Sequence, residues 1–156
     1  IGEEPKTITA TGGTFVQDGI PDVAFITTKF ESGIVAHIEV SWLAPSKLRR
    51  TTVVGSKKMV VYDDTESIEK VKVFDRGVQY KDPETFGEFQ LSYRTGDILI
   101  PKLDQFEPLA LEASEFLTSI QNGTAPLSDG HSGLRVVKAL QAAQESLDNG
   151  GAPVHL

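Results

Sequence analysis

The chain of 156 residues is long enough to bury a core of its own, and 39% hydrophobic with 24% charged residues is typical of a folded protein. Its net charge of −7 disfavours nucleic acid as a partner, and the absence of cysteine excludes disulfides, thiol nucleophiles and thiolate metal sites. The sequence contains no apolar run of the roughly 20 residues that a membrane-spanning helix needs, and no signal peptide. We therefore expect a cytoplasmic protein without membrane contact. Because the chain begins at Ile1 and not at Met, we also expect it to be a piece of a larger protein.

Residues 6–100 follow a strand-like pattern. The clearest alternation runs from Ile34 to Trp42, and a short connection containing Gly33 joins it to a preceding strand from Val23 to Phe30. The first strand is predicted from Lys6 to Thr11. Later strands are predicted at Arg50 to Val54, Met59 to Tyr62, Glu69 to Phe74 and Gly87 to Tyr93, with turns at Gly55-Ser56, Asp63-Asp64 and Arg76-Gly77. Connections this short join antiparallel neighbours, because parallel strands need long crossovers.

Two helices are predicted after the strands, from Phe106 to Asn122 and from about Ser132 to Asp148. Each has one apolar stripe, made of Leu109, Ala113, Phe116, Leu117 and Ile120 in the first and of Val136, Val137, Leu140, Ala143 and Leu147 in the second. The predicted fold class is α+β, with a large, mostly antiparallel open sheet and both helices packed on one face. Residues 1–156 are interpreted as a single domain.

The sequence shows no complete catalytic, metal or cofactor site. The glycine pair of Thr11-Gly12-Gly13-Thr14 lacks the spacing and the following helix of a dinucleotide-binding loop. His37, His131 and His155 are scattered, without a second ligand at metal-binding spacing. Adjacent Asp63 and Asp64 are interpreted as turn residues that hydrogen-bond to the local backbone. We therefore predict no catalytic, cofactor-binding or metal-binding residue in this chain.

One segment, from Trp42 to Arg50, combines an aromatic ring with three cations in an acidic protein. Trp42 is a platform suited to a sugar ring, and Lys47 and Arg49 are suited to an anionic group. The alternative is that Trp42 caps the core beside a solvated basic loop, and spacing alone favours this alternative.

The order of the segments resembles the C-terminal domain of the glucose–fructose oxidoreductase / inositol dehydrogenase / rhizopine-catabolism (Gfo/Idh/MocA) oxidoreductases. The resemblance covers nearly the whole chain. The Trp42 loop and the Glu107-Pro108-Leu109 segment are most similar to members that act on nucleotide-linked amino sugars. Its motifs are Phe30-Glu31-Ser32-Gly33, His37 to Trp42, Pro45 to Arg49, Val53 to Met59, Tyr62-Asp63-Asp64, Gly96-Asp97-Ile98, Pro101, Glu107-Pro108-Leu109, Asp129-Gly130 and Gly133 to Val137.

The resemblance implies the C-terminal half of an NAD- or NADP-dependent dehydrogenase that oxidises a hydroxyl of a sugar or nucleotide sugar. In that family an N-terminal domain holds the cofactor and supplies a lysine, and a helix at the domain junction carries an Asp-x-x-x-His pair. Neither motif occurs here, so we expect the nucleotide-binding domain to be absent, and the chain alone to bind no cofactor and to be inactive. The resemblance also favours Lys47 as a substrate-binding residue, followed by Arg49 and Trp42. The alternative function is a free-standing, non-catalytic binding or scaffold module.

The resemblance and the strand pattern together predict a homo-oligomer that forms through the sheet. Val35, His37, Glu39 and Ser41 share one face of their strand. The neighbouring strand adds either Val23, Phe25 and Thr27 or Ala24, Ile26 and Phe30. Such a mixed face suits a contact between identical subunits, and the alternative is a solvated face with scattered apolar residues.

Overall fold

The computed structural model describes residues 2–80, 91–104 and 106–156. In chain order the elements are β1 (Pro5–Gly13), β2 (Val23–Phe30), β3 (Val35–Ser41), β4 (Arg50–Val54), β5 (Met59–Asp63), β6 (Val71–Tyr80), β7 (Leu91–Leu99), α1 (Pro108–Asn122), α2 (Gly130–Asp148) and β8 (Val154–His155). They form two compact units, one of residues 1–44 and 107–156 and the other of residues 45–106.

The first unit contains a four-stranded antiparallel sheet in the order β3-β2-β1-β8. The predicted strands are confirmed to within one or two residues at most ends, whereas β8 was not predicted because two residues carry no recognisable period. Gly12, part of the glycine pair, lies in β1, where a Cβ atom would collide with the carbonyl oxygen of Val23. Gly12 therefore allows the two strands to approach closely, and it lies in a strand rather than in a phosphate-binding loop.

Helix α2 packs on one face of this sheet, against β1 and β8. Ile8 and Ala10 of β1 meet Ala142 and Ala143 of the helix in a fully buried cluster. The prediction that the stripe of α2 is buried is wrong for its first three members. Val136, Val137 and Leu140 are 58%, 49% and 61% exposed. The packed face carries small side chains instead, which let the helix approach the sheet closely.

Helix α1 begins and ends as its sequence predicts. Glu107 caps its N-terminus by accepting a hydrogen bond from the backbone of Ala110, Pro108 occupies the first turn, and Gly123 ends the helix in the left-handed conformation. Its apolar stripe forms but is not buried as predicted, since Phe116 and Ile120 are each more than 60% exposed.

The second unit is an antiparallel meander in the order β4-β5-β6-β7. The predicted turn at Arg76-Gly77 is wrong, because both residues lie inside β6. A register shift between Phe74 and Arg76 lets the strand continue past this point. Most of the strand predicted from Gly87 to Tyr93 lies outside the described residues.

The α+β class with antiparallel strands is confirmed, with one correction. The described strands form two sheets of four rather than one large sheet, since β3 and β4 have different partners. Neither helix of the described ranges has the length and apolar content needed to cross a bilayer.

A buried hydroxyl connects α2, β1 and the C-terminal segment. Ser146 is fully buried, and its Oγ accepts a hydrogen bond from the backbone N–H of Ala10 at 2.8 Å. The same hydroxyl donates to the carbonyl oxygen of Ala152 at 2.7 Å. Because β8 pairs with β1 only at Thr7 and Ile8, the side chain supplies the partner that a longer strand would have given Ala10.

We expect Ser146→Ala to lower the free energy of unfolding by about 1–3 kcal/mol, because the N–H of Ala10 would stay buried without a partner. Urea unfolding followed by circular dichroism measures the loss. Ser114→Ala, at an exposed position of α1, is the matched control and should change stability little. Equal effects of the two substitutions would contradict the role of the Ser146 hydroxyl.

Candidate functional site

The segment predicted to bind substrate is divided between the two units. Trp42 lies in the first unit, while Lys47 and Arg49 lie in the second. None of the three belongs to a regular element, since β3 ends at Ser41 and β4 begins at Arg50.

Trp42 is held by its backbone and presents its ring to solvent. Its N–H donates to the carbonyl oxygen of Asp22 at 2.8 Å, and the residue is 89% exposed. The alternative that Trp42 caps the core is therefore wrong. An exposed indole on an anchored backbone is available as a flat apolar surface for a ligand.

Asp22 lies directly before β2 and organises this end of the sheet. Its carboxylate accepts hydrogen bonds from the backbone of Phe15 at 2.5 Å and of Val16 at 2.9 Å. Its own N–H donates to the carbonyl oxygen of Gly13 at 2.9 Å. Asp22 thereby joins the end of β1, the following loop and the backbone of Trp42. The one available signal was an aspartate directly before a strand, where its side chain can cap a turn.

Lys47 is exposed and has no hydrogen-bond or ion-pair partner within residues 2–80, 91–104 and 106–156. The two arginines that follow are already paired. Arg50 donates through Nε and Nη2 to Asp63 at 3.1 and 3.0 Å, and Arg49 lies 3.7 Å from Asp64. Lys47 is therefore the cation of this loop that the described residues leave available to an anion.

Asp63 and Asp64 are structural carboxylates. Hydrogen bonds from the Thr65 hydroxyl and from Arg50 lower the pKa of Asp63 and outweigh the opposing effect of burial. A hydrogen bond from the hydroxyl of Tyr62 lowers the pKa of Asp64, and Lys70 and Arg49 lower it further. The predicted local hydrogen bonding is confirmed for Asp63, which accepts from the backbone of Thr65 at 3.1 Å. Both groups are ionised at neutral pH, so neither is suited to act as a general acid.

The three histidines lie apart in the fold. His131 occupies the first turn of α2, and His155 lies in β8, where its Nδ1 is 3.2 Å from the hydroxyl of Thr7. His155 therefore belongs to a paired strand. His37 stacks on Phe25 with 6.4 Å between ring centroids. Among the described residues, no three potential metal ligands come together.

His37 belongs to the face of the first sheet opposite α2, which we call the open face. Strand pairing places Phe25 beside Glu39 and Thr27 beside His37. Of the two sets left open by the sequence, the structure selects Val23, Phe25 and Thr27, because Ala24 and Thr28 are buried on the other face. The open face consists of Thr7, Thr9, Thr11, Val23, Phe25, Thr27, Lys29, Val35, His37, Glu39, Ser41 and His155.

Residues 1–61 match the sequence model of the GFO/IDH/MocA C-terminal domain. The fold matches UDP-N-acetylglucosamine 3-dehydrogenase GnnA from Acidithiobacillus ferrooxidans at a TM-score of 0.73 and 21% identity, over 96% of this chain and 42% of that one. The resemblance to GFO/IDH/MocA C-terminal domains is confirmed.

Two further solved structures share the fold of this chain. Aldose-aldose oxidoreductase from Caulobacter crescentus, solved with glycerol, matches at a TM-score of 0.70 and 19% identity over 99% of this chain and 42% of that one. GenD2 from gentamicin A biosynthesis, solved with NAD, matches at a TM-score of 0.67 and 18% identity, over 99% of this chain and 42% of that one. The chain thus spans less than half the length of these proteins. Comparison with curated protein sequences found no match.

The residues described here do not fit a dinucleotide. Phosphates bind at helix N-termini that offer free backbone N–H groups. Both helices instead begin with a carboxylate cap, where Glu107 accepts from Ala110 at 2.6 Å and Asp129 accepts from Ser132 at 2.7 Å. Each carboxylate occupies one of the N-terminal amides and repels a phosphate by its charge.

Asp63 should give the second unit a pH-dependent stability. Because the folded pKa is lowered, the stabilisation is present above about pH 4 and is lost as the pH falls through the lowered value. We expect Asp63→Asn to be less stable than the wild type at neutral pH, and the difference to shrink as the pH falls through the lowered pKa of Asp63. Urea unfolding at a series of pH values measures it. Asp18→Asn, at an exposed loop position, is the control and should follow the wild type throughout. A difference that stays constant with pH would contradict the ionised Asp63 pair.

Proposed function

We propose that this chain is the substrate-binding and oligomerisation part of an NAD- or NADP-dependent oxidoreductase that oxidises a hydroxyl of a sugar or nucleotide sugar. The observation that carries the proposal is the match of residues 1–61 to the GFO/IDH/MocA C-terminal domain. The fold shared with GnnA and with aldose-aldose oxidoreductase supports it, since both names denote enzymes that act on sugars.

Lys47 is the first candidate contact to substrate, and a nucleotide sugar is the substrate class that best fits it. A diphosphate carries the negative charge that an unpaired lysine attracts, even in a chain with a net charge of −7. Arg49 is the second candidate, because a distance of 3.7 Å to Asp64 leaves the guanidinium able to exchange partners. Trp42 contributes a separate apolar platform for a sugar ring.

The nicotinamide cofactor belongs, in this proposal, to a part of the protein outside these residues. The carboxylate caps on α1 and α2 and the strand position of Gly12 support this assignment. The chain then supplies part of the substrate pocket and, through the open face, the contact between subunits. We place the enzyme in the cytoplasm, where soluble nucleotide sugars and nicotinamide cofactors are available.

A comparison of two proteins tests the proposal: the 156-residue chain and the longest natural chain that contains it. Each is assayed for reduction of NAD and NADP with a panel of UDP-sugars and free sugars. We expect turnover by the longer chain and none by the 156-residue chain. Sugar binding by the longer chain without turnover would instead indicate a non-catalytic binding module. Substrate-dependent turnover by the 156-residue chain alone would contradict the assignment of the cofactor to another domain.

In the longer chain, Lys47→Ala should raise the KM for substrate by roughly ten- to a hundredfold, with the affinity for cofactor nearly unchanged. Removal of one charge-assisted hydrogen bond costs about 1.5–3 kcal/mol, which corresponds to this range. Steady-state kinetics with substrate and cofactor varied separately measure the two effects.

Lys58→Ala is the matched control for this variant. Lys58 is also an exposed lysine of the second unit, in the hairpin between β4 and β5, where its carbonyl oxygen accepts from Gly55 at 3.0 Å. We expect the control to leave the KM for substrate unchanged. If both variants have wild-type kinetics, Lys47 is a solvated lysine without a part in binding.

A further inference from the structure

Two cations and a hydroxyl of the second unit surround the carboxylate of Asp64. The hydroxyl of Tyr62 donates a hydrogen bond to Oδ1 at 2.9 Å. Nη1 of Arg49 lies 3.7 Å from Oδ2, and Nζ of Lys70 lies 3.7 Å from Oδ1. A guanidinium and an ammonium are groups with which proteins bind phosphates. Asp64 therefore stands where an anionic ligand would meet both cations.

Asp64 differs from the adjacent Asp63 in how firmly it is bound. Asp63 is buried and accepts two hydrogen bonds from Arg50, at 3.0 and 3.1 Å. Both ion pairs of Asp64 are longer than a hydrogen bond, and the side chains of Arg49 and Lys70 are 62% and 37% exposed. Exposed ion pairs of this kind contribute little to stability. Arg49 and Lys70 can therefore exchange Asp64 for another anion at small cost.

The backbone, and not the carboxylate of Asp64, holds the two cations close to each other. The N–H of Asp64 donates to the carbonyl oxygen of Arg49 at 2.9 Å, which extends the pairing of β4 with β5. The N–H of Asp63 donates to the carbonyl oxygen of Lys70 at 2.8 Å, directly before β6 begins. These bonds bring the ends of three neighbouring strands together. Both cations therefore stay at this end of the sheet when the carboxylate is neutralised.

Tyr62 can keep the carboxylate of Asp64 in place after the cations have left it. The hydrogen bond to Asp64 raises the pKa of the Tyr62 hydroxyl, which therefore remains a donor at neutral pH. Water also reaches the side chain of Asp64, which is 36% exposed. The ionised carboxylate is therefore solvated and hydrogen-bonded without Arg49 or Lys70.

The distribution of charge along the chain also favours an anion in the second unit. The first unit has four lysines and arginines against 12 aspartates and glutamates, whereas the second unit has 11 against ten. The second unit is therefore close to neutral, although the whole chain carries a net charge of −7. An anionic ligand is repelled less by this unit than by the first one.

We propose that Arg49 and Lys70 form a binding site for a phosphate-type anion, and that Asp64 is the internal anion that closes this site. A ligand phosphate displaces the carboxylate from both cations, and Asp64 keeps its hydrogen bond from Tyr62. A phosphate carries more negative charge and more acceptor oxygens than a carboxylate, so it competes effectively for the two cations. The inference rests on the proposed function for the source of this group, which is the diphosphate of a nucleotide sugar.

Titration of the ¹⁵N-labelled 156-residue chain with pyrophosphate, followed by NMR at low ionic strength, tests the site directly. We expect the largest shifts at the amides of Arg49, Asp64 and Lys70. Asp64→Asn retains an oxygen for the hydroxyl of Tyr62 but removes the competing charge. It should lower the dissociation constant for pyrophosphate by roughly five- to tenfold, and circular dichroism confirms that the variant is folded.

Glu66→Gln is the matched control for the loss of one negative charge. Glu66 is exposed in the same turn, and it pairs with neither Arg49 nor Lys70 in the part of the chain that the structure describes. This control should change the dissociation constant little. Arg49→Gln added to Asp64→Asn should abolish the gain in affinity, because the anion then loses one of its two cations. An equal gain in the control, or a gain that survives Arg49→Gln, would overturn the site.

Inorganic phosphate, UDP and uridine distinguish the sources of the anion. We expect UDP to bind at least as tightly as pyrophosphate, inorganic phosphate to bind more weakly, and uridine to leave the three amides unshifted. If inorganic phosphate binds as tightly as UDP, the link to a nucleotide sugar is wrong and the site serves free phosphate.

These titrations need neither cofactor nor turnover, so they separate this inference from the proposed enzyme function. A longer chain without dehydrogenase activity would contradict the proposed function and leave the measured anion binding unaffected. A chain in which Asp64→Asn gains no affinity would contradict this site and leave the expected turnover of the longer chain unaffected.

Discussion

The first unit depends on one buried hydroxyl. Ser146 is bonded to the backbone of Ala10 on one side and of Ala152 on the other, so the helix, the central strand and the chain end share one polar atom. Around it the core consists mainly of small side chains, with Ile8 as its one large, fully buried member. A core of alanines allows α2 to approach β1 closely, and at that spacing a serine is long enough to reach the edge of the strand. The hydrogen bond and the close packing therefore require each other.

Two aspartates, Asp22 and Asp63, also have a structural role, because their carboxylates bind donors of the chain itself. Asp22 binds two backbone N–H groups beside Trp42, and Asp63 binds Arg50 and Thr65 in the second unit. Once these groups are satisfied internally, the side chains that remain for a ligand are those that the fold does not use. Trp42 and Lys47 are of this kind, whereas Arg50 is not. The candidate substrate contacts therefore follow from what the hydrogen bonds within the chain leave unpaired.

The described residues leave several apolar surfaces exposed. The stripe of α1, the larger apolar residues of α2 and the open face all present apolar groups to solvent. The chain spans 42% of the length of GnnA and of aldose-aldose oxidoreductase, whose fold it shares. The open face also carries the charged side chains Lys29 and Glu39.

The sequence by itself determined the local structure. Alternation, the Gly33 connection and the helix signals at Pro108 and Gly123 predicted antiparallel strands and both helices, because strand and helix periods depend on neighbouring residues alone. The tertiary structure decided the long-range relations. Pairing of β2 with β3 selected Phe25 for the open face, and the small side chains of Ala142 and Ala143 rather than Leu140 became the buried face of α2. The partners of Asp22 and Ser146 also depend on contacts between distant segments, since a residue's hydrogen-bonding capacity is local but the atom that satisfies it is supplied by the fold.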